Sequence, residues 1–147
     1  MIEIFTDGGC SGNPGPGGWA FLALQGKTEL YRASGAEKDT TNNKMELTAV
    51  INALEWAGGN DSAGLSVSTD SQYVQLGISR WILSWEKNGW KTKDKKPVKN
   101  KDLWQRLREL DGHLCPRWIW VRGHAGNPRN EICDAMVQAE IRKILIR

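Results

Sequence analysis

Ile2-Glu3-Ile4-Phe5-Thr6-Asp7, followed by Gly8-Gly9-Cys10-Ser11-Gly12-Asn13-Pro14-Gly15-Pro16-Gly17-Gly18, sets the architecture from the N-terminus. The first six residues read as a strand. The glycines and prolines after them predict a loop over 8–18, because Gly and Pro punctuate both strands and helices. Trp19–Gln25 and Thr28–Ser34 read as a hairpin around Gly26-Lys27. From about Asn43 to Ala57, Leu47, Val50, Ile51 and Leu54 recur at helical spacing. Gly58-Gly59-Asn60-Asp61 breaks that helix, and Leu65–Thr69 alternates as a strand. Short helices over Ser71–Gly77 and Arg80–Lys87 precede a loop at Gly89–Lys99, which contains Pro97. A helix over about Lys101–Leu110, a strand at Arg117–Val121 and a last helix over about Pro128–Ile146 complete the chain. The order βββαβαβα predicts an α/β fold: a mixed sheet with helices on its faces.

The chain has 147 residues, 39% hydrophobic and 25% charged, which suits one domain able to bury a sizeable core without disulfides or metals as staples. No repeat, linker or low-complexity tract interrupts it. Disordered, collagen-like and membrane classes are excluded by composition and by the lack of an apolar run near the ~20 residues of a membrane span. No basic n-region leads an apolar stretch at the N-terminus, so no signal peptide is expected. Cys10, Cys115 and Cys133 form no C-x-x-C pair; small buried residues in a reducing cytoplasm are expected.

The net charge of +3 conceals an asymmetry. Between Lys87 and Lys101 lie seven lysines and one acid, Asp94, a local +6; the remainder carries 13 basic and 16 acidic residues, or −3. Four of the eight tryptophans, Trp81, Trp85, Trp90 and Trp104, lie in or beside that excursion. Trp81 and Trp85 share a helix face by spacing. Lysines attract phosphates and aromatic faces stack on bases or sugars, which makes nucleic acid a candidate partner. A solvated loop pinned by core tryptophans is the plainer alternative.

Four carboxylates stand in costly places. Asp7 and Asp70 end strands, where open α/β sheets gather ligands. Asp7 would also suit a turn before Gly8, and Asp70 an N-cap for the helix opened by Ser71. Glu46 falls on the stripe of Ala49, Val50, Ala53 and Ala57; a capping box with Asn43 is the alternative. Asp134 shares a stripe with Val137, Ile141 and Leu145. Buried carboxylates need neutralising, and a hard cation such as Mg²⁺ takes oxygen ligands and shares its shell with phosphates. Two such ions can activate a water and stabilise the leaving oxygen of a phosphodiester.

Six motifs in register then become recognisable: Phe5-Thr6-Asp7-Gly8, Thr41-Asn42-Asn43-Lys44-Met45-Glu46-Leu47, Ser68-Thr69-Asp70-Ser71-Gln72-Tyr73-Val74, Gly89-Trp90-Lys91-Thr92 with Lys95-Lys96-Pro97-Val98-Lys99-Asn100, Gly123-His124-Ala125-Gly126-Asn127-Pro128, and Asn130-Glu131-Ile132-Cys133-Asp134. Over nearly its whole length the chain resembles bacterial type 1 ribonuclease H. The resemblance implies a five-stranded mixed sheet flanked by helices, with a basic protrusion at about 80–101. It also implies Mg²⁺- or Mn²⁺-dependent, two-metal-ion cleavage of the RNA strand of RNA–DNA hybrids, leaving 5′-phosphate and 3′-hydroxyl ends. Asp7, Glu46, Asp70 and Asp134 match the family's metal-binding carboxylates, and His124 the histidine that assists proton transfer or product departure.

Asn13, Asn42, Asn43 and Gln72 match minor-groove contacts, where amides suit 2′-hydroxyls and base edges. Trp81 and Trp85 match the walls of the DNA-strand channel; Thr41 and Asn100 match a pocket for a DNA-strand phosphate. Asp39 departs from the pattern, since a basic residue is common there; Lys38 is the candidate substitute. No separate hybrid-binding domain is expected before Met1, and a monomer suffices. A non-catalytic nucleic-acid-binding module explains neither Glu46 nor Asp134 on apolar stripes. A DNA nuclease of the same fold is the other alternative, separable by substrate.

Overall fold

The computed structural model describes residues 1–59, 64–122 and 127–146. Strands β1 (Ile2–Cys10), β2 (Gly15–Gln25) and β3 (Thr28–Thr40) form an antiparallel meander, and β4 (Leu65–Thr69) and β5 (Arg117–Trp120) extend it in parallel. The sheet order is β3-β2-β1-β4-β5, a five-stranded mixed sheet as expected. Helices α1 (Asn42–Gly58), α2 (Gln72–Leu76), α3 (Ile82–Lys87), α4 (Lys101–Leu114) and α5 (Pro128–Leu145) flank it.

Side-chain alternation along the central strands splits the core in two. Ile2, Ile4, Phe21 and Ala23 face α1 and α4, packing with Leu47, Val50, Leu54, Trp104 and Leu107. Phe5, Ala20, Leu22 and Leu24 face α5 and meet Cys133, Val137 and Ile141. The period of two sends successive residues of each strand to opposite layers. Leu145, at the end of the α5 stripe, is 56% exposed and lies outside this core.

Two glycines expected to open a loop are in strand. Gly8 pairs with Trp19 and Gly9 with Gly18, so β1 runs to Cys10 and β2 starts at Gly15. The missing side chain of Gly8 lets α1 close on the sheet: a Cβ there would lie 2.4 Å from the Met45 carbonyl carbon, whereas one on Gly9 would make only ordinary contact, 3.5 Å from Val137 Cγ1. Likewise β3 continues to Thr40, past the expected end at Ser34, because its partner β2 begins earlier. The two short helices expected over 71–87 form one continuous helical run, α2 and α3 joined by a π-helical turn at Gly77–Trp81. Gly77 is the close approach there, since a Cβ would sit 1.9 Å from the buried Trp104 ring.

All three cysteines are free thiols. Cys133 is buried and Cys10 half-buried, but Cys115 is exposed, ending α4 in a left-handed conformation (φ 47°) that takes it away from the core.

Candidate active site

The parallel register Phe5↔Ser68, carried two residues further, brings Asp7 level with Asp70, just past the end of β4; Asp7 itself does not end its strand, because β1 runs on beside β2 to Cys10. Thr6 Oγ1 donates to the Ser68 carbonyl at 3.0 Å, tying the two strand ends together. Asp7 is buried and paired within the β1–β2 ladder opposite Ala20, so it is no turn residue. Asp70 is not the cap of α2: Ser71 is, its Oγ accepting from the Val74 N–H at 3.1 Å. That leaves the Asp70 carboxyl to the site.

Glu46 comes from the first turns of α1. Thr41 is the N-cap, accepting from the Lys44 N–H at 3.2 Å, so Glu46 belongs to no capping box. The close approach at Gly8 carries Glu46 against β1. One carboxylate oxygen from each of Asp7, Glu46 and Asp70 lies within 4.8 Å of the others. Burial, then the negative charges of Asp7 and Asp70 and a hydrogen bond shared with Asp70, hold the Glu46 carboxyl well above the usual carboxylate range; the Gly8 N–H acts the other way. The Cys133 thiol is pushed up to about 12, by burial first and then by Asp7.

Asp134 is half-buried on α5 and is not among the three that converge within 4.8 Å. Its neighbour Cys133 donates its S–H to the Phe5 carbonyl at 3.3 Å, which places that turn of α5 beside β1, two residues before Asp7. Asn127 caps α5, accepting from the Arg129 and Asn130 N–H groups. His124 lies outside the described residues.

The oxygen-only donor set fits a hard divalent cation. Three carboxylates this close repel when ionised, which adds to burial in holding the Glu46 carboxyl high. A bound cation would reverse its sign.

The expected binding residues start from the ends of the same elements. Asn13 Oδ1 accepts from the Asn42 N–H at 3.2 Å, joining the β1–β2 turn to the start of α1. Asn42, Asn43 and Gln72 are exposed at the N-terminal ends of α1 and α2. A hollow of about 410 Å³ is lined by Asn13, Asp39, Thr41, Lys44, Lys99 and Asn100, among others. Thr41 and Asn100 therefore line one hollow, and Asp39 is in it. Lys38 is not: strand alternation sends it to another hollow, with Ala36, Glu140 and Lys143. The pocket's cations are Lys44 and Lys99, which sequence reasoning missed. Lys44, one helical turn after Thr41, carried the signal.

Trp81 and Trp85 are half-buried, with ring centroids 5.9 Å apart. Both rest on the core margin, Trp85 against Trp104 and Trp90 and Trp81 against Tyr73. Trp120 on the edge strand, outside this group, is 37% exposed.

A five-stranded mixed sheet with carboxylates from its two central strands and from α1 converging at one place defines an α/β protein with an acidic, cation-suited centre. The family comparisons agree with that frame. The RNase H family profile matches residues 1–142. Ribonuclease H of Treponema denticola is 53% identical over 158 aligned positions, covering 98% of this chain and 99% of that one. The crystal structure of LC9-RNase H1, a type 1 RNase H with the type 2 active-site motif, superposes with a TM-score of 0.81 at 31% identity, covering 97% of this chain and 72% of that one. LC11-RNase H1 in complex with an RNA/DNA hybrid has a TM-score of 0.73 at 25% identity, covering 99% of each chain. The chain belongs to the ribonuclease H family and is an endoribonuclease acting on the RNA strand of RNA–DNA hybrids.

Proposed function

We propose that Asp7, Glu46, Asp70 and Asp134 hold two divalent cations, Mg²⁺ or Mn²⁺, at which the RNA strand is cut to 5′-phosphate and 3′-hydroxyl ends. The convergence of Asp7, Glu46 and Asp70 within 4.8 Å carries this reading. When bound, the ions supply an activated water and charge stabilisation at the leaving oxygen. The protein's own part is to fix four anionic ligands on strands and helices that cannot rearrange independently. His124 moves a proton to the departing 3′ oxygen or helps the product leave.

Asn13, Asn42, Asn43 and Gln72 read the minor groove, where amides reach both base edges and 2′-hydroxyls. The RNA requirement arises there, since only RNA offers that hydroxyl. Trp81 and Trp85 line the path of the DNA strand, and the lysines of 87–101 hold its phosphates. Thr41 and Asn100 grip one DNA-strand phosphate. The Thr41 hydroxyl accepts from Lys44 N–H and keeps its own proton to donate. Lys44 and Lys99 offset Asp39 in that pocket. One chain carries every residue of this scheme, which supports action as a monomer; the bacterial relatives support a cytoplasmic setting.

The test presents end-labelled hybrid, RNA duplex and DNA duplex with Mg²⁺. Cleavage of the RNA strand of the hybrid alone, with 5′-phosphate products, is expected. Cleavage of DNA duplex would favour a DNA nuclease of the same fold, and tight hybrid binding without metal-dependent turnover a non-catalytic module.

A further inference from the structure

Asn100 occupies the N-cap position of α4 and does not cap it. Its backbone is left-handed (φ 58°, ψ 31°), and its side chain makes no cap hydrogen bond. Asn is among the best capping residues, so a side chain turned away from that task is directed elsewhere. It is directed to Tyr73: Asn100 Nδ2 donates to the Tyr73 hydroxyl oxygen at 3.2 Å. The same oxygen accepts from the Trp104 indole N–H at 2.9 Å. An indole nitrogen only donates, so it pins the hydroxyl with a lone pair towards Trp104, and a phenolic oxygen has one lone pair left for Asn100. Asn100 keeps its second amide proton and its carbonyl oxygen.

Tyr73 also joins the tryptophan surface. Its ring lies 5.7 Å from Trp81, edge-on, and 5.1 Å from Trp104, which in turn meets Trp85 at 5.5 Å. One half-buried side chain thus touches both the residue facing the 410 Å³ pocket and the residue walling the channel.

We propose that Tyr73 is a positioning residue for the DNA strand: its hydroxyl orients the Asn100 amide so that the second N–H faces the phosphate pocket, in fixed register with Trp81. This rests on the reading of Thr41 and Asn100 as a phosphate pocket. Tyr73 touches neither strand and acts through Asn100.

The test is a double-mutant cycle on full-length enzyme, with hybrid substrate and Mg²⁺, well below each variant's Tm. Tyr73→Phe keeps the ring contacts and removes the hydroxyl. It is expected to raise KM about three- to tenfold, the range of one hydrogen bond, with kcat unchanged within twofold. Asn100→Ala raises KM at least as much, and the double variant no further than Asn100→Ala. A Tyr73→Phe enzyme with unchanged KM beside an impaired Asn100→Ala enzyme overturns the proposal, as do effects that multiply in the double variant. An Asn100→Ala enzyme with unchanged KM overturns the phosphate-pocket reading itself, and the proposal with it. A fall in Tm alone is what a merely structural hydroxyl would give and counts against positioning. In ¹⁵N-labelled unsubstituted protein, one Asn100 side-chain amide proton should exchange more slowly than the other; equally fast exchange contradicts the bond on which the proposal stands.

Discussion

Asp7, Glu46 and Asp70 converge where the centre of the sheet meets α1, while the lysines from 91 to 99 stand on a loop outside the sheet. The acidic trio is fixed by strand registers on both sides, a threonine hydroxyl across the strands and a glycine contact with α1. The basic segment is fixed by short backbone bonds, Thr92 N–H to Lys96 O and Val98 N–H to Trp90 O, by the buried Val98 side chain, and by left-handed turns at Trp90, Lys95 and Asn100. Ligands for a metal need fixed mutual distances, so they sit where the backbone is over-determined. Phosphate attraction acts through a smooth field, so lysines on a surface loop suffice. On the proposed roles, the first group sets the chemical step and the second sets affinity, so each can be changed alone.

The sharpest break of that division is Asp70→Asn. It should lower kcat on hybrid about a hundredfold or more and leave KM nearly unchanged, measured by steady-state cleavage. A rise in KM with kcat intact would move Asp70 to the binding half. Next is Gly8→Ala, whose Cβ would meet backbone atoms of Met45 and Glu46 at 2.4 and 2.5 Å. Displacing α1 should cost about 1–3 kcal/mol of stability by urea unfolding, and lower kcat as Glu46 shifts. Unaltered stability would mean that this approach does not hold α1 in place.

Smaller effects belong to the basic half. Replacing Lys91, Lys95 and Lys96 with Gln should weaken hybrid binding, with kcat kept. The slope of log K against log salt should fall by about 0.9 for each phosphate that is no longer neutralised. An unchanged slope would place the binding surface elsewhere.

The smallest effect concerns Glu46 without metal. Its folded-state pKa is raised, so the folded protein holds this proton after the unfolded chain has released it. Stability is therefore undiminished by this group below the ordinary glutamate range and falls as pH rises towards the folded-state value. Glu46→Gln should flatten that decline and be at least as stable at neutral pH in chelator. A variant clearly less stable than the parent would contradict the repulsion.

Much of this was legible because buried charge is conspicuous: Glu46 among alanines and a valine, and Asp7 and Asp70 at strand ends. The strand lengths were not. Gly8 and Gly9 read as punctuation but lie within strands, and Gly8 is the contact point for α1, information that lies in tertiary approach. Ending β3 at Ser34 also concealed the alternation that sends Lys38 away from the pocket and Asp39 into it. Nothing in the spacing of Tyr73 and Asn100, 27 residues apart, announces their hydrogen bond. Asp134 was readable as a misplaced charge, while the docking of its turn of α5 against β1, through Cys133, was not.

The most direct test removes and restores the metal. Enzyme stripped with a chelator should leave labelled hybrid intact, recover full cleavage when Mg²⁺ is added back, and fail to recover as the Asp7→Asn variant. Cleavage that persists in chelator, or a recovery by Asp7→Asn equal to that of the parent, would contradict the assignment of the acidic centre as the site that cuts.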